Sequence, residues 1–159
     1  MFDDFISLGD ACAVAASMSK YGLRSWSGVF DWLVTPNFNM VLHLMEQNFK
    51  GFMLKENLEN LSDNKNIFQD KKFGITFIHD VEYLISLKDN YEDLYAKYNK
   101  KIQRFRKELT RKNFFLRSVC SEVELNYILK NKDYIEQIIK KGNKESEIIF
   151  LIRNDVIIE

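Results

Sequence analysis

Four short apolar runs, set apart by longer helical segments, constrain this chain more than any other feature. They are Phe5-Ile6-Ser7-Leu8, Phe73 to His79, Phe114 to Ser118, and Glu147 to Arg153. Each is short enough for a buried strand. Between them, Phe38, Val41, Leu42, Met45 and Phe49 recur at helical spacing, and Tyr91, Leu94, Tyr95, Tyr98, Ile102, Phe105 and Leu109 form one apolar face over Tyr91 to Leu109. Ala11 to Lys20 reads as a further helix, stopped by Tyr21-Gly22. Thr35-Pro36 reads as a helix start, with Thr35 as N-cap. Ser121 and Glu124 have capping-box spacing and open a helical region that closes at Gly142. Strands alternating with helices predict an α/β fold: a mainly parallel sheet of about four strands, with helices on both faces.

The 159 residues fit a single domain over positions 1–159. The chain stops soon after its fourth strand, as a form shortened at the C-terminus would. The polar stretch from Asn57 to Lys72 reads as a surface loop. Lys plus Arg and Asp plus Glu number 23 each, so no bulk electrostatic attraction to non-specific nucleic acid is expected. No run approaches a membrane span, and the start Met1-Phe2-Asp3-Asp4-Phe5 lacks the basic region of a secretory signal. Two cysteines make no disulfide framework. A cytoplasmic location with reduced thiols is the expectation.

Ligands of parallel sheets collect beyond the carboxyl ends of the strands, and Cys12 and His79 both fall there. Cys12 follows a strand, a Gly-Asp turn and a helix start. Unpaired N–H groups at that position favour a thiolate and can hold an oxyanion. The alternative is a cysteine packed as a small hydrophobe among Ala11, Ala13, Val14 and Ala15. His79 is either the base such a nucleophile needs or a hydrogen-bonded histidine that closes a strand. Asp31, in an irregular segment, is the better-placed carboxylate to orient it; Asp80 is a poor orienter if the strand persists, because successive side chains point to opposite faces.

The segment Arg24 to Trp32 concentrates two Trp, a Phe, an Arg and an Asp, as a pocket wall or a loop plug would. The basic group from Lys97 to Lys112, with Arg104 at its centre, reads first as a solvated helix face. Arg104 and Arg117 are nonetheless candidates for ligand contact. No cofactor motif, and no metal-ligand spacing such as Cys-x-x-Cys or His-Glu-x-x-His, occurs.

Ile6-Ser7-Leu8-Gly9-Asp10-Ala11-Cys12, Gly22-Leu23-Arg24, Phe30-Asp31-Trp32, Phe77-Ile78-His79-Asp80, Lys97-Tyr98 with Arg104-Phe105, and Phe115-Leu116-Arg117 follow one order and spacing. In these residues the chain resembles the uncharacterised bacterial family described as "putative papain-like cysteine peptidases". The resemblance covers about Phe5 to Arg117. It implies Cys12 as nucleophile, His79 as base, and Asp31 or Asp80 as orienter. It also implies a papain-like α+β fold as the alternative to the parallel sheet.

Two functions follow as expectations. The first is a thiol hydrolase or acyl transferase built on Cys12 and His79, acting on a peptide, glycan or small-molecule substrate. The second is a transferase or binding domain for a sugar or nucleotide-sugar in surface-polysaccharide assembly. Its pocket would be lined by Arg24, Asp31, Trp32, Arg104 and Arg117, with Asp80 near the substrate in the first reading.

Overall fold

The apolar runs fold as strands, but into two sheets. The computed structural model describes residues 4–10, 12–61, 67–80 and 87–156. The first sheet is parallel and has the order β1-β6-β7 (Asp4–Ser7, Asn113–Val119, Glu147–Ile152). Its register pairs Ile6 with Phe115 and Leu116 with Ile149. The second is antiparallel and has the order β2-β5-β4-β3 (Leu33–Val34, Ile75–Phe77, Phe68–Asp70, Leu58–Asn60). Mixed α/β architecture is as expected. The four-stranded parallel sheet is not, because the run from Phe73 to His79 forms β5 and pairs antiparallel with β2 and β4.

The correction has a local cause. The Asn57–Lys72 stretch, read as loop, contains β3 and β4. They pair over Leu58↔Asp70 and Asn60↔Phe68. Gly74, with φ +64°, lies in the short link from β4 to β5 and allows the reversal. Phe68 and Phe77 then stack with ring centroids 4.4 Å apart.

Five α-helices complete the described fold: α1 (Cys12–Lys20), α2 (Phe38–Glu46), α3 (Leu87–Glu108), α4 (Glu122–Lys130) and α5 (Lys132–Lys140). Helix α1 ends as its sequence predicts: Gly22 adopts φ +64°, and Leu23 N–H donates to Met18 C=O at 2.9 Å. Helix α3 buries Leu94, Tyr98, Ile102 and Phe105, the predicted face. The Ser121 hydroxyl accepts from Glu124 N–H, so the cap forms, but the region it opens breaks at Asn131 into α4 and α5. Helix α2 starts at Phe38, with Asn37 rather than Thr35 as N-cap, because the Thr35 hydroxyl is used elsewhere. One large core joins the two sheets, with Phe30, Phe49 and Phe105 in mutual ring contact near its centre. No described helix is long and apolar enough to cross a membrane.

Candidate functional site

The Cys12 end of the molecule is built by a sharp turn. After β1, Leu8 N–H donates to Leu116 C=O at 2.8 Å, and Gly9 C=O accepts from Ser118 N–H at 3.3 Å. Gly9 then takes φ +81° and Asp10 φ +41°, conformations that side chains other than glycine seldom adopt. A Cβ on Gly9 would lie 2.5 Å from Thr35 Oγ1, so glycine is required there on two counts. Asp10 N–H donates to the same Thr35 hydroxyl at 3.2 Å. Cys12 follows as the first residue of α1 and is half-buried. Its expected place at the strand–helix junction is the observed one.

A second thiol sits at this edge. Cys120 follows β6, the parallel neighbour of β1, and its Sγ lies 3.4 Å from Ser118 Oγ. Burial pushes the Cys120 thiol pKa up, and a hydrogen bond with Asp10 adds to that; hydrogen bonds with Ser118 and Arg153 pull it down. Asp10, Ser118, Cys120 and Arg153 therefore gather beside the start of α1. The sequence signal was available: both cysteines lie just past apolar strands, and parallel neighbours end at the same edge.

Arg117, expected in a pocket, is 0% exposed. Its guanidinium donates to Leu8 C=O (2.9 Å), Thr35 Oγ1 (2.6 Å), Thr35 C=O (2.6 Å) and Glu124 Oε1 (2.7 Å). Burial raises the Glu124 pKa, and the Arg117 charge opposes it. Arg117 thus ties the end of β1 and the end of β2 to α4. Its donors are spent inside the protein.

The Arg24–Trp32 segment forms a second cluster. Asp31 is 1% exposed, accepts from Gly28 N–H at 2.7 Å and forms an ion pair with Arg24. Arg24 Nε donates to Ser19 Oγ at 2.8 Å, and its guanidinium lies 5.9 Å from the Trp32 ring. Burial lowers the Arg24 pKa, with Asp4 raising it in part. Trp32 meets His79 edge-on, centroids 6.3 Å apart, and His79 is exposed. Asp80 accepts from Lys97 Nζ (2.6 Å) and from Tyr98 Oη (2.7 Å). Burial and then Asp80 drive the Tyr98 pKa well up. Arg104 is exposed, with its guanidinium 5.0 Å from the Trp26 ring. Arg24, Asp31, Trp32 and His79 are therefore brought together, with Asp80 following His79 in the chain.

No described hydrogen bond or ion pair joins Cys12 to that cluster, although the segment from Phe30 to Thr35 passes beside the Gly9-Asp10 turn that leads into Cys12. Arg24 is anchored at Ser19, in the last turn of α1, whereas Cys12 opens the helix. The two ends lie roughly 10 Å apart along the axis. Among the described residues, no hydrogen bond or ion pair links Cys12 to His79 or His79 to Asp31. Asp31 serves Gly28 and Arg24. Nor does any group of three His, Cys, Asp or Glu form a metal site among those residues.

Known proteins supply the wider frame. An uncharacterised protein of Acanthamoeba polyphaga mimivirus is 38% identical over 48 residues. The match covers 30% of this chain and 22% of that relative. No solved structure matches. A family model described as "Putative papain-like cysteine peptidase" matches residues 3–153, nearly the whole sequence. The chain belongs to that family.

Proposed function

We propose that this chain is a cysteine-dependent hydrolase of peptide bonds, with Cys12 as its nucleophile. The observation that carries the reading is the position of Cys12: the first residue of α1, delivered by a left-handed Gly9-Asp10 turn at the carboxyl edge of a parallel sheet. The first-turn N–H groups of a helix have no intrahelical partners, and they can hold a developing oxyanion. Family membership supports the same chemistry.

In the proposed reaction the Cys12 thiolate adds to a substrate carbonyl carbon. The C–N bond then breaks, and the amine leaves with a proton, giving a thioester. Water hydrolyses the thioester, releasing the acid and restoring the thiol. His79 is the proposed proton carrier. Its exposed ring lies against Trp32 and meets solvent. Acyl transfer differs only in the acceptor that takes the thioester.

The test is iodoacetamide labelling of Cys12 and Cys120 against pH, read by mass spectrometry, in wild type and His79→Ala. Turnover on a mixed peptide library is followed in parallel. Cys12 is expected to label faster than Cys120 at neutral pH, and Cys12→Ser to abolish turnover with the fold retained. Slow labelling of Cys12, or unchanged turnover in Cys12→Ser, removes the proposal. Fast labelling that is identical in His79→Ala keeps the nucleophile and removes the base.

A further inference from the structure

β7 closes one side of the parallel sheet with an edge that no described strand covers. It reads Glu-Ile-Ile-Phe-Leu-Ile and is followed by Arg153. Exposed edges of this kind are usually guarded by proline, bulges or charges along the strand. Here charge stands only at the two ends, Glu147 and Arg153. Ile149 and Leu151 between them are 41% and 45% exposed.

Backbone direction fixes how a second strand would bind. Arg153 N–H donates to Val119 C=O at 3.1 Å, and Val119 is registered with Ile152. In a parallel ladder the N–H and C=O of one residue point the same way, and successive residues alternate. Glu147, Ile149, Leu151 and Arg153 therefore direct their main-chain groups at β6. Ile148, Phe150 and Ile152 direct theirs outward, away from the sheet.

The geometry points to a homodimer formed by antiparallel pairing of β7 with β7 of a second copy, about a two-fold axis at Phe150. In that register Phe150 faces Phe150, and Ile148 faces Ile152. These are the outward-directed residues, so about six inter-chain hydrogen bonds form without disturbing β6. Glu147 of one copy lies opposite Arg153 of the other, twice by symmetry, and Ile149 lies opposite Leu151. All four of these side chains occupy one face of the sheet. A register shifted by one residue would place inward-directed groups opposite outward-directed ones, and would separate the opposite charges.

The strand is thus self-complementary in hydrogen-bonding parity, apolar contact and charge, which favours a second copy over an unrelated partner. The formal net charge of zero adds no long-range repulsion between copies. Asp155 engages Arg153 Nε and one terminal nitrogen, and the fork has further donors for the partner's carboxylate. On the same face an apolar groove of about 480 Å³ runs from Leu151 past Met18 to Tyr21 and Leu23. The pairing would extend this apolar surface from one copy into the next.

Sedimentation velocity of the 159-residue chain over a range of concentrations tests this directly, with circular dichroism to verify the fold of each variant. A monomer–dimer equilibrium is expected. Glu147→Arg alone and Arg153→Glu alone should each weaken association about tenfold, and the two combined should return it to within about threefold of wild type. Leu151→Lys should leave a folded monomer. A wild type that stays monomeric at its highest soluble concentration overturns the proposal. So does a dimer that ignores the single charge reversals, or one that the double reversal fails to restore.

Discussion

Arg117 and Thr35 bind the two sheets to each other: the guanidinium donates at 2.6 Å to both the Thr35 hydroxyl and the Thr35 carbonyl. Arg117 belongs to β6, and Thr35 directly follows β2. Glu124 supplies the countercharge at 2.7 Å. Removing one partner of a buried pair leaves the other charged and unsolvated, which costs about 3–5 kcal/mol. Arg117→Ala should lose stability on that scale in urea unfolding. Arg117→Met combined with Glu124→Leu should recover part of it, because no charge is then stranded. A loss below about 1 kcal/mol in Arg117→Ala would show the fork to be dispensable.

Gly9 offers a sharper test of the same junction. Gly9→Ala forces a Cβ onto a residue at φ +81° and drives it toward Thr35 Oγ1. Backbone strain of this kind costs on the order of 1–3 kcal/mol, before the clash is added. In a Thr35→Ala background the clash disappears and the backbone strain stays. The cost of Gly9→Ala should therefore shrink in that background, giving a coupling measurable by a double-mutant cycle. Purely additive effects would mean that the Thr35 hydroxyl moves aside freely.

How much of this was legible in the sequence depends on how the residues are satisfied. The strands β1, β6 and β7 announce themselves as short apolar runs, although β7 is half exposed. β5 was visible as a strand but not as a member of a different sheet. The other strands of that sheet, β2, β3 and β4, have two or three residues each, too few for a period to show. Thr35 resembled an N-cap because Pro36 follows it; only the fold reveals that Arg117 and Asp10 claim its hydroxyl. Arg117 resembled a ligand residue for the same reason, since its partner Glu124 lies beyond a strand end and a helix cap. The position of Cys12 was readable from strand, turn and helix. The anchoring of Arg24 at Ser19 was not, because it depends on how the segment after α1 folds back over the helix.

Asp31 separates structural from catalytic roles. Its carboxylate holds Gly28 N–H and Arg24, and Arg24 in turn lies beside Trp32. Asp31→Asn removes the charge that neutralises a largely buried guanidinium and should cost about 1.5–3 kcal/mol. Trp32 should then gain solvent, shifting tryptophan emission to longer wavelength. The Cys12 labelling rate should stay unchanged, because the Asp31 carboxylate bonds Gly28 and Arg24 rather than Cys12 or His79. A slowed Cys12 in Asp31→Asn would instead make Asp31 a positioning residue for the thiol.

Asp70 carries a pH dependence whose sign runs against the usual acid lability. It is fully buried and accepts from Met53 N–H at 2.9 Å and Lys72 N–H at 3.1 Å. Burial raises its pKa from the ordinary 3.8, and these amides and the nearby Lys72 charge only partly offset the rise. Between 3.8 and the raised folded value, the native state holds more protons on Asp70 than the unfolded chain does. Stability from this group is therefore greatest below the unfolded pKa and falls as pH climbs to the folded one. Asp70→Asn cannot titrate and so lacks this slope, whatever its baseline loss. Urea midpoints of the two proteins, taken at intervals from acid to neutral pH, should show wild type losing ground relative to the variant as pH rises through that window. Carbon-detected NMR of the Asp70 carboxyl should place the titration at the same pH. If wild type instead gains on Asp70→Asn with rising pH, the amides outweigh burial and the carboxylate is favoured in the fold.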